Sequence, residues 1–270
     1  MELGSGKTAV VTGGGSGIGE ALCRAFAAEG MSVVVSDIDL GAAEGVANSI
    51  NDTGGSAIAV RTDVADRGSV KELADAAFEA FGGVHVLCNN AGVVAFRSAA
   101  EMSDSDWDWV MGVNLDGVIN GVTQFLPRII EQGGEAHIVN TSSSAGLFAP
   151  PGMASYVASK QAVVGLSEHL SHDLEAVNVG VSVLCPGGVA TKIVEAGRNR
   201  PDEHGGPEDV PDFAEPIRQG IAQGMPPSDV AARVVDAVRN NHLYIVTHED
   251  TKPGVEARIE GIRACYALND

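Results

Sequence analysis

Cysteine, positive charge and long apolar runs are all in short supply in this chain, and each shortage removes a class of protein. The four cysteines, Cys23, Cys88, Cys185 and Cys265, lie far apart with no C-x-x-C pair, so neither a disulfide frame nor a metal site is expected. Reduced, mostly buried thiols fit better. Lys and Arg number 17 against 36 Asp and Glu, and a formal net charge of -19 would repel a phosphate backbone, which excludes nucleic acid as a partner. Solubility accounts for the charge. No apolar run of about 18 residues occurs, and residues 1–7 carry no apolar core, so neither a membrane span nor a signal peptide is expected and the cytoplasm is the default location.

What the chain does have is alternation. With 270 residues, 44% of them hydrophobic, it can bury one full core, and a single domain over 1–270 is expected. Residues 8–12 form a short apolar run closed by Gly13-Gly14-Gly15-Ser16-Gly17-Ile18-Gly19, after which Ala21, Leu22, Ala25 and Phe26 recur at helical spacing. Strand, tight turn and helix follow one another, the arrangement in which glycines let backbone approach a pyrophosphate and a helix start offers free N–H groups. A second strand, 32–36, ends at Asp37, about 20 residues past the glycines, where a carboxylate accepts hydrogen bonds from adenosine ribose hydroxyls. A 2′-phosphate would be repelled there, and no Arg or Lys stands at 38 or 39 to neutralise it, so the spacing favours NAD over NADP.

The pattern repeats. A helix over 40–53, a strand over 57–60 followed by Asp63-Val64, an amphipathic helix through Val70, Leu73, Ala74, Ala77, Phe78 and Phe81, and a strand over 84–88 lead to Asn89-Asn90-Ala91-Gly92. That last stretch either lets the chain pass close to something above the sheet edge or only makes a turn. Ser103 suits the N-cap of a long helix to about 131, with Trp107, Val110, Met111, Leu115, Val118 and Val122 on its buried face. Asn114 falls in that stripe and must find partners, as a structural bridge or as a site residue. Strands over 136–141, 181–184 and 243–246 complete seven, with a helix from about 154 to 177 between the fifth and sixth. Strands alternating with helices through short connections demand a doubly wound parallel α/β sheet, a Rossmann-type fold, with ligands outside the carboxyl ends of its strands. The glycine turn, Asp37, Asp63, Asn90, Ser143 and Pro186 all fall at such ends, so one crevice can collect them.

Tyr156-Val157-Ala158-Ser159-Lys160 carries the chemistry. Positions i and i+4 share a helix face, so the phenol and the ammonium look into one pocket, and the cation is expected to lower the phenol toward a value useful for proton transfer. Ser143, thirteen residues upstream, is placed to hold a substrate oxygen against it.

Together, Thr12-Gly13-x-x-x-Gly17-Ile18-Gly19, Asn89-Asn90-Ala91-Gly92, Asn114, Ser143, Tyr156-x-x-x-Lys160 and Pro186-Gly187-x-Val189-x-Thr191 resemble the classical short-chain dehydrogenases/reductases over nearly the whole chain. The resemblance implies Tyr156 as general acid/base, Ser143 as substrate positioner, Lys160 as ribose ligand and tuner of the tyrosine, and Asn114 as anchor of a proton-relay water. It implies a cofactor cradle of Gly13, Ser16, Gly17, Ile18 and Gly19, with Asp37 and Ile38 at the ribose, Asp63 and Val64 beside the adenine, and Asn90, Ala91 and Gly92 along the cofactor. Pro186 and Gly187 would also bind the cofactor, and Val189 and Thr191 would hold the nicotinamide carboxamide. Departures are mild: His85 replaces a frequent aspartate, and Ser144 adds a third serine after Ser142 and Ser143, where the offset from Tyr156 selects Ser143.

The implied activity is NAD-dependent interconversion of a secondary alcohol and a ketone. Similarity of the 107–130 and 187–201 stretches to bacterial dehydrogenases of benzylic alcohols adds a bulky or aromatic substrate. An extended-type epimerase or dehydratase shares Tyr-x-x-x-Lys, but the roughly 80 residues after Pro186 leave little room for a sugar-nucleotide domain. A cofactor-sensing regulator would keep the cradle and lose the chemistry, against which Asn114, Ser143, Tyr156 and Lys160 stand intact. Six of eleven prolines fall in 192–227, which reads as a mobile substrate lid outside the core, with a solvated surface loop as the alternative. Ile193, Val194, Phe213 and Ile217 are its candidate pocket walls, with Val94, Phe96, Phe148 and Met153 on the fixed side. The family is commonly homotetrameric through the helices at 103–131 and 154–177, and Phe125, Leu126, Val163 and Val164 are read as apolar surplus for that contact.

Overall fold

Apolar side chains alternate along each strand, and that alternation sorts the chain into two layers of helix around one sheet. The computed structural model describes residues 1–266, and residues 267–270 of the expected domain lie outside them. Seven strands, β1 (Thr8–Thr12), β2 (Ser32–Asp37), β3 (Ser56–Arg61), β4 (Val86–Asn89), β5 (Ala136–Thr141), β6 (Val179–Cys185) and β7 (Tyr244–Val246), are all parallel in the order β3-β2-β1-β4-β5-β6-β7. The order reverses between β1 and β4, which opens a crevice at their carboxyl ends.

On one face Ala9, Val11, Val33, Val35 and Cys88 pack with Leu22 and Phe26 of α1 (Gly17–Ala28), Val46 and Ile50 of α2 (Leu40–Asp52) and Val230 and Val234 of a helix over Pro227–Asn240. On the other, Val10, Val34, Leu87 and Ile138 pack with Val70 and Leu73 of α3 (Arg67–Phe81), Phe125 and Ile129 of α5 (Gly117–Gln132), which continues α4 (Asp104–Met111), and Leu170 of α6 (Ala154–Asp173). The chain closes with α7 (Glu215–Ala222), the Pro227–Asn240 helix as α8, and α9 (Lys252–Tyr266). Among the described residues no helix is long and apolar enough to cross a membrane.

Three local expectations change. The helix from the Ser103 capping box is interrupted at Gly112–Asp116 by a π-helical turn, which shifts the phase of its stripe. Trp109 is consequently buried where Trp107 was expected to be, and Asn114 sits inside the π turn. Phe125, Val163 and Val164, taken as surplus apolar surface, are buried in the chain's own core, Phe125 with Leu87 and Ile138 and the two valines with Val183 and Cys185, and Leu126 packs against it. The assembly expectation therefore loses its support in those residues.

The segment after Thr191 also differs from a free lid. It is a string of single turns at Ile193–Asn199, Asp202–His204 and Asp212–Ala214 before α7, and its two ends pair, with Ala190 N–H donating to Met225 O at 3.0 Å and Met225 N–H to Gly188 O at 2.9 Å. Val194, Ala196 and Ala214 are buried, so part of it belongs to the core.

Candidate active site

The glycine turn is built by closeness as well as by dihedral freedom. Gly13 and Gly17 adopt φ of +63° and +56°, the left-handed region that favours glycine. A Cβ on Gly13 would stand 2.9 Å from Ala91 Cα, one on Gly15 2.9 Å from Asp37 Oδ2, and one on Gly19 would overlap the Gly13 carbonyl. Ser16, at the N-cap of α1, makes no capping hydrogen bond, which leaves the first N–H groups of that helix for an anion. The Asp37 carboxylate accepts N–H groups from Gly15 at 2.9 Å and Asp39 at 3.0 Å, so its charge is fixed at the cleft edge. A closely approached backbone, an open helix start and a pinned carboxylate suit a dinucleotide.

The end of β4 is tied to β1. Thr12 Oγ1 accepts the N–H of both Asn90 and Ala91, and Asn90 Nδ2 donates to Thr12 O at 3.0 Å, so the Asn90 side chain serves the turn while its backbone borders the cleft. Asp63 Oδ1 accepts the Ala65 N–H at 3.0 Å, holding the loop beyond β3 beside Val64. Across the crevice, Thr191 Cγ2 lies 3.0 Å from where a Gly17 Cβ would be, so the loop after β6 closes against the glycine turn.

Tyr156 and Lys160 project from α6 into this crevice, the Nζ 5.6 Å from the phenol ring centre. Lys160 is buried and donates to Thr141 O at 2.9 Å; burial lowers its pKa to about 8. The three serines separate by geometry. Ser142 Oγ donates to Lys160 O at 2.7 Å, the Ser144 N–H donates to Pro186 O, and the Ser143 hydroxyl faces the phenol. Tyr156 departs from expectation: burial raises its pKa, and the pull of Ser143 only partly opposes this. In the chain by itself desolvation is the largest influence on the phenol, and burial likewise disfavours the charge of Lys160.

Asn114 is fully buried, at 0% exposure, and stands behind the cleft wall rather than on it. Its Oδ1 accepts the Val93 N–H at 2.8 Å, and its Nδ2 donates to Val93 O at 2.9 Å and Ser159 Oγ at 3.1 Å. Of the two readings open at the sequence level, these bonds are those of a bridge between the helix, the loop after β4 and α6.

Every other candidate catalytic or cofactor residue borders one cleft of about 450 Å³: Gly13, Ser16, Gly17, Ile18, Gly19, Asp37, Ile38, Asp63, Val64, Asn90, Ala91, Gly92, Ser143, Tyr156, Lys160, Pro186, Gly187, Val189 and Thr191. Val94, Phe96, Met153, Ile193 and Ile217 line its far end. Val194 is instead in the core, Phe213 is 62% exposed and turned away, and Phe148 packs against Gly254 of α9. Trp109 was missed as a wall; it packs with Val93 and Ala95 beside Tyr156.

Beneath that wall lies a buried ion cluster no spacing announces. Arg200 Nη1 reaches Asp106 Oδ1 at 2.7 Å and Glu208 Oε2 at 3.1 Å, its guanidinium lies 5.3 Å from the Trp109 ring centre, and Arg97 meets Asp106 at 3.1 Å. Burial pushes the Asp106 carboxyl up, but the hydrogen bonds of Ser103 and Arg200 outweigh it and hold the group below its ordinary value. The first half of the 192–227 segment is thereby pinned to α4. Among the described residues no group of His, Cys, Asp and Glu could hold a metal ion.

Residues 7–202 match the family described as short chain dehydrogenase. A crystal structure of a short chain dehydrogenase/reductase from Burkholderia phymatum in complex with NAD is similar at 42% identity and a TM-score of 0.94, covering 98% of this chain and 96% of that one. The "CLA biosynthesis dehydrogenase/reductase" of Lactiplantibacillus plantarum is 33% identical over 265 residues, 95% of this chain and 93% of its own. The "C alpha-dehydrogenase" of Sphingobium sp. is 32% identical over 259 residues, 95% and 85% of the two chains.

Proposed function

The chain belongs to the short-chain dehydrogenases and is an oxidoreductase acting on hydroxyl groups, and from that premise we propose an NAD-dependent enzyme that interconverts a bulky, largely apolar secondary alcohol and its ketone. The observation that carries this is the Ser143 hydroxyl facing the Tyr156 phenol on the cleft wall, with Lys160 buried one helical turn behind. NAD supplies the hydride acceptor. Tyr156, as phenolate, takes the hydroxyl proton, and Ser143 holds the substrate oxygen at hydrogen-bond distance while the proton moves. Lys160 spends one N–H on Thr141 O and keeps the others for the ribose hydroxyls. Asn114 keeps the loop after β4 and the helix bearing Tyr156 in register. The apolar far wall of Val94, Phe96, Trp109, Met153 and Ile217 favours an aryl or other ring-bearing substrate. A panel of aryl, steroid and aliphatic alcohols followed by NADH absorbance tests this; turnover confined to short aliphatic alcohols would remove the bulky-substrate reading.

Asp37 is expected to set cofactor choice. A phosphate placed against its pinned carboxylate meets a like charge costing about 1 to 4 kcal/mol at 4 Å, so NADH should bind about tenfold or more tightly than NADPH. The double variant Asp37→Ala, Ile38→Arg should reverse the order in a fluorescence titration. Tighter binding of NADPH by the unaltered protein would show that the ribose contact has been misassigned.

The lid is proposed to be smaller than its proline content suggests. Residues 192–208 are held by Arg200, whereas α7 buries none of its residues and still sends Ile217 and Ile221 to the cleft. Amide exchange should therefore slow in 209–224 when NAD and a substrate analogue are both bound, with little change in 192–208. Unchanged exchange throughout would leave a passive surface loop.

A further inference from the structure

The imidazole of His248, just beyond β7, belongs to none of the motifs above and is held on three sides. Its Nδ1 receives the Gly187 N–H at 3.1 Å and lies 2.6 Å from Thr247 Oγ1, and its Nε2 lies 2.9 Å from Gly188 O. A backbone N–H only donates and a carbonyl only accepts, so Nδ1 is the acceptor and Nε2 carries the hydrogen. The Thr247 hydroxyl then donates to Nδ1 as well. These partners select the neutral Nε2–H tautomer, since a hydrogen on Nδ1 would face the Gly187 N–H and leave a bare Nε2 against the Gly188 carbonyl.

The ring also lies directly on the turn. A Cβ on Gly187 would stand 2.7 Å from His248 Cγ and 3.0 Å from its Nδ1, and Gly187 has no positive φ, so the imidazole, not backbone conformation, is what requires glycine there. Gly188 O is a junction, accepting the Met225 N–H at 2.9 Å together with the His248 Nε2–H. His248 thus brackets the Gly187-Gly188 pair from the side away from the cleft: both glycines line it, as do Val189 and Thr191 just beyond, and His248 does not.

We propose that His248 is a positioning residue for the nicotinamide end of the cofactor site: bonded to both Gly187 and Gly188, it sets the backbone on which the carboxamide end rests. The inference stands on the NAD reading above and adds to it a residue 61 positions from the turn it controls.

Calorimetric titration of NAD and of ADP-ribose, which lacks the nicotinamide, separates the two ends. Losing the part-buried acceptor for Gly187 and the exposed donor to Gly188 should weaken NAD binding to His248→Ala about tenfold, with ADP-ribose affinity held within about twofold. His248→Gln, which carries one acceptor and one donor, should recover part of the loss. Long-range proton–nitrogen spectra of the cofactor-free protein should show His248 as the Nε2–H tautomer. If His248→Ala loses NAD and ADP-ribose equally, or neither, or if the ring is the Nδ1–H tautomer, the positioning role is overturned while the dinucleotide site stands. An unaltered protein that binds neither ligand overturns both readings.

Discussion

Tyr156→Phe is expected to lower turnover by about 10²-fold or more while NAD binds with nearly unchanged affinity. The ring packs beside Val93, Trp109 and Phe96, and phenylalanine preserves that packing, so the change removes one transferable proton and little else. The pH arm of the same measurement is set by direction. Burial holds the phenol above its ordinary value and Ser143 pulls it partly back, so the phenolate fraction is small near neutrality and grows as pH rises. Alcohol oxidation, which needs the phenolate, should gain with pH into the alkaline range; ketone reduction, which needs the phenol, should not. Initial rates in both directions from pH 6 to 10, for the unaltered enzyme and the variant, check the whole argument. Near-normal turnover in Tyr156→Phe would remove Tyr156 from the chemistry.

Gly19→Ala is expected to be as damaging by another route. Its new methyl group would fall on the Gly13 carbonyl oxygen and close to Asn90 Nδ2, and the first of these is backbone that cannot swing aside. Overpacking of this kind typically costs about 1–3 kcal/mol and occasionally more. Relief would require α1 to move off the glycine turn, which would also displace the N–H groups that face the cleft. Both melting temperature and NAD affinity should therefore fall, the latter by about tenfold or more. Gly45→Ala in α2 is the control: nothing lies within 4 Å of its added methyl, and the helix should gain up to about 1 kcal/mol. A Gly19→Ala protein that melts and binds like the unaltered one would mean that turn and helix do not sit this close.

Much of the site was legible because its residues fall where strands stop. Gly13 to Gly19, Asp37, Asp63 and Asn90 each follow a short apolar run, and a parallel sheet gathers such ends into one crevice whatever the loops do. Tyr156 and Lys160 were legible for a related reason, since four residues on a helix is one turn. These are local relations, and the sequence by itself determines them: strand and helix alternation, and the grouping of the candidate catalytic and cofactor residues.

What only the tertiary structure decided depends on contacts between distant segments. The π turn that exchanges Trp109 for Trp107 leaves no mark on hydrophobic spacing, because adding a residue to one turn is settled by what the helix packs against. Phe125, Val163 and Val164 looked like surplus because helical period says which residues share a face and not how far the sheet and its neighbours wrap around it. The upward shift of the Tyr156 phenol follows from how much water the folded walls exclude, a quantity with no counterpart in residue order. Arg200 with Asp106, and His248 with Gly187, are pairs separated by 94 and 61 positions. Arg200, Asp106 and His248 are ordinary surface residue types in the sequence. They acquire a role only when folding removes them from water and each must find its hydrogen-bond partner in the other.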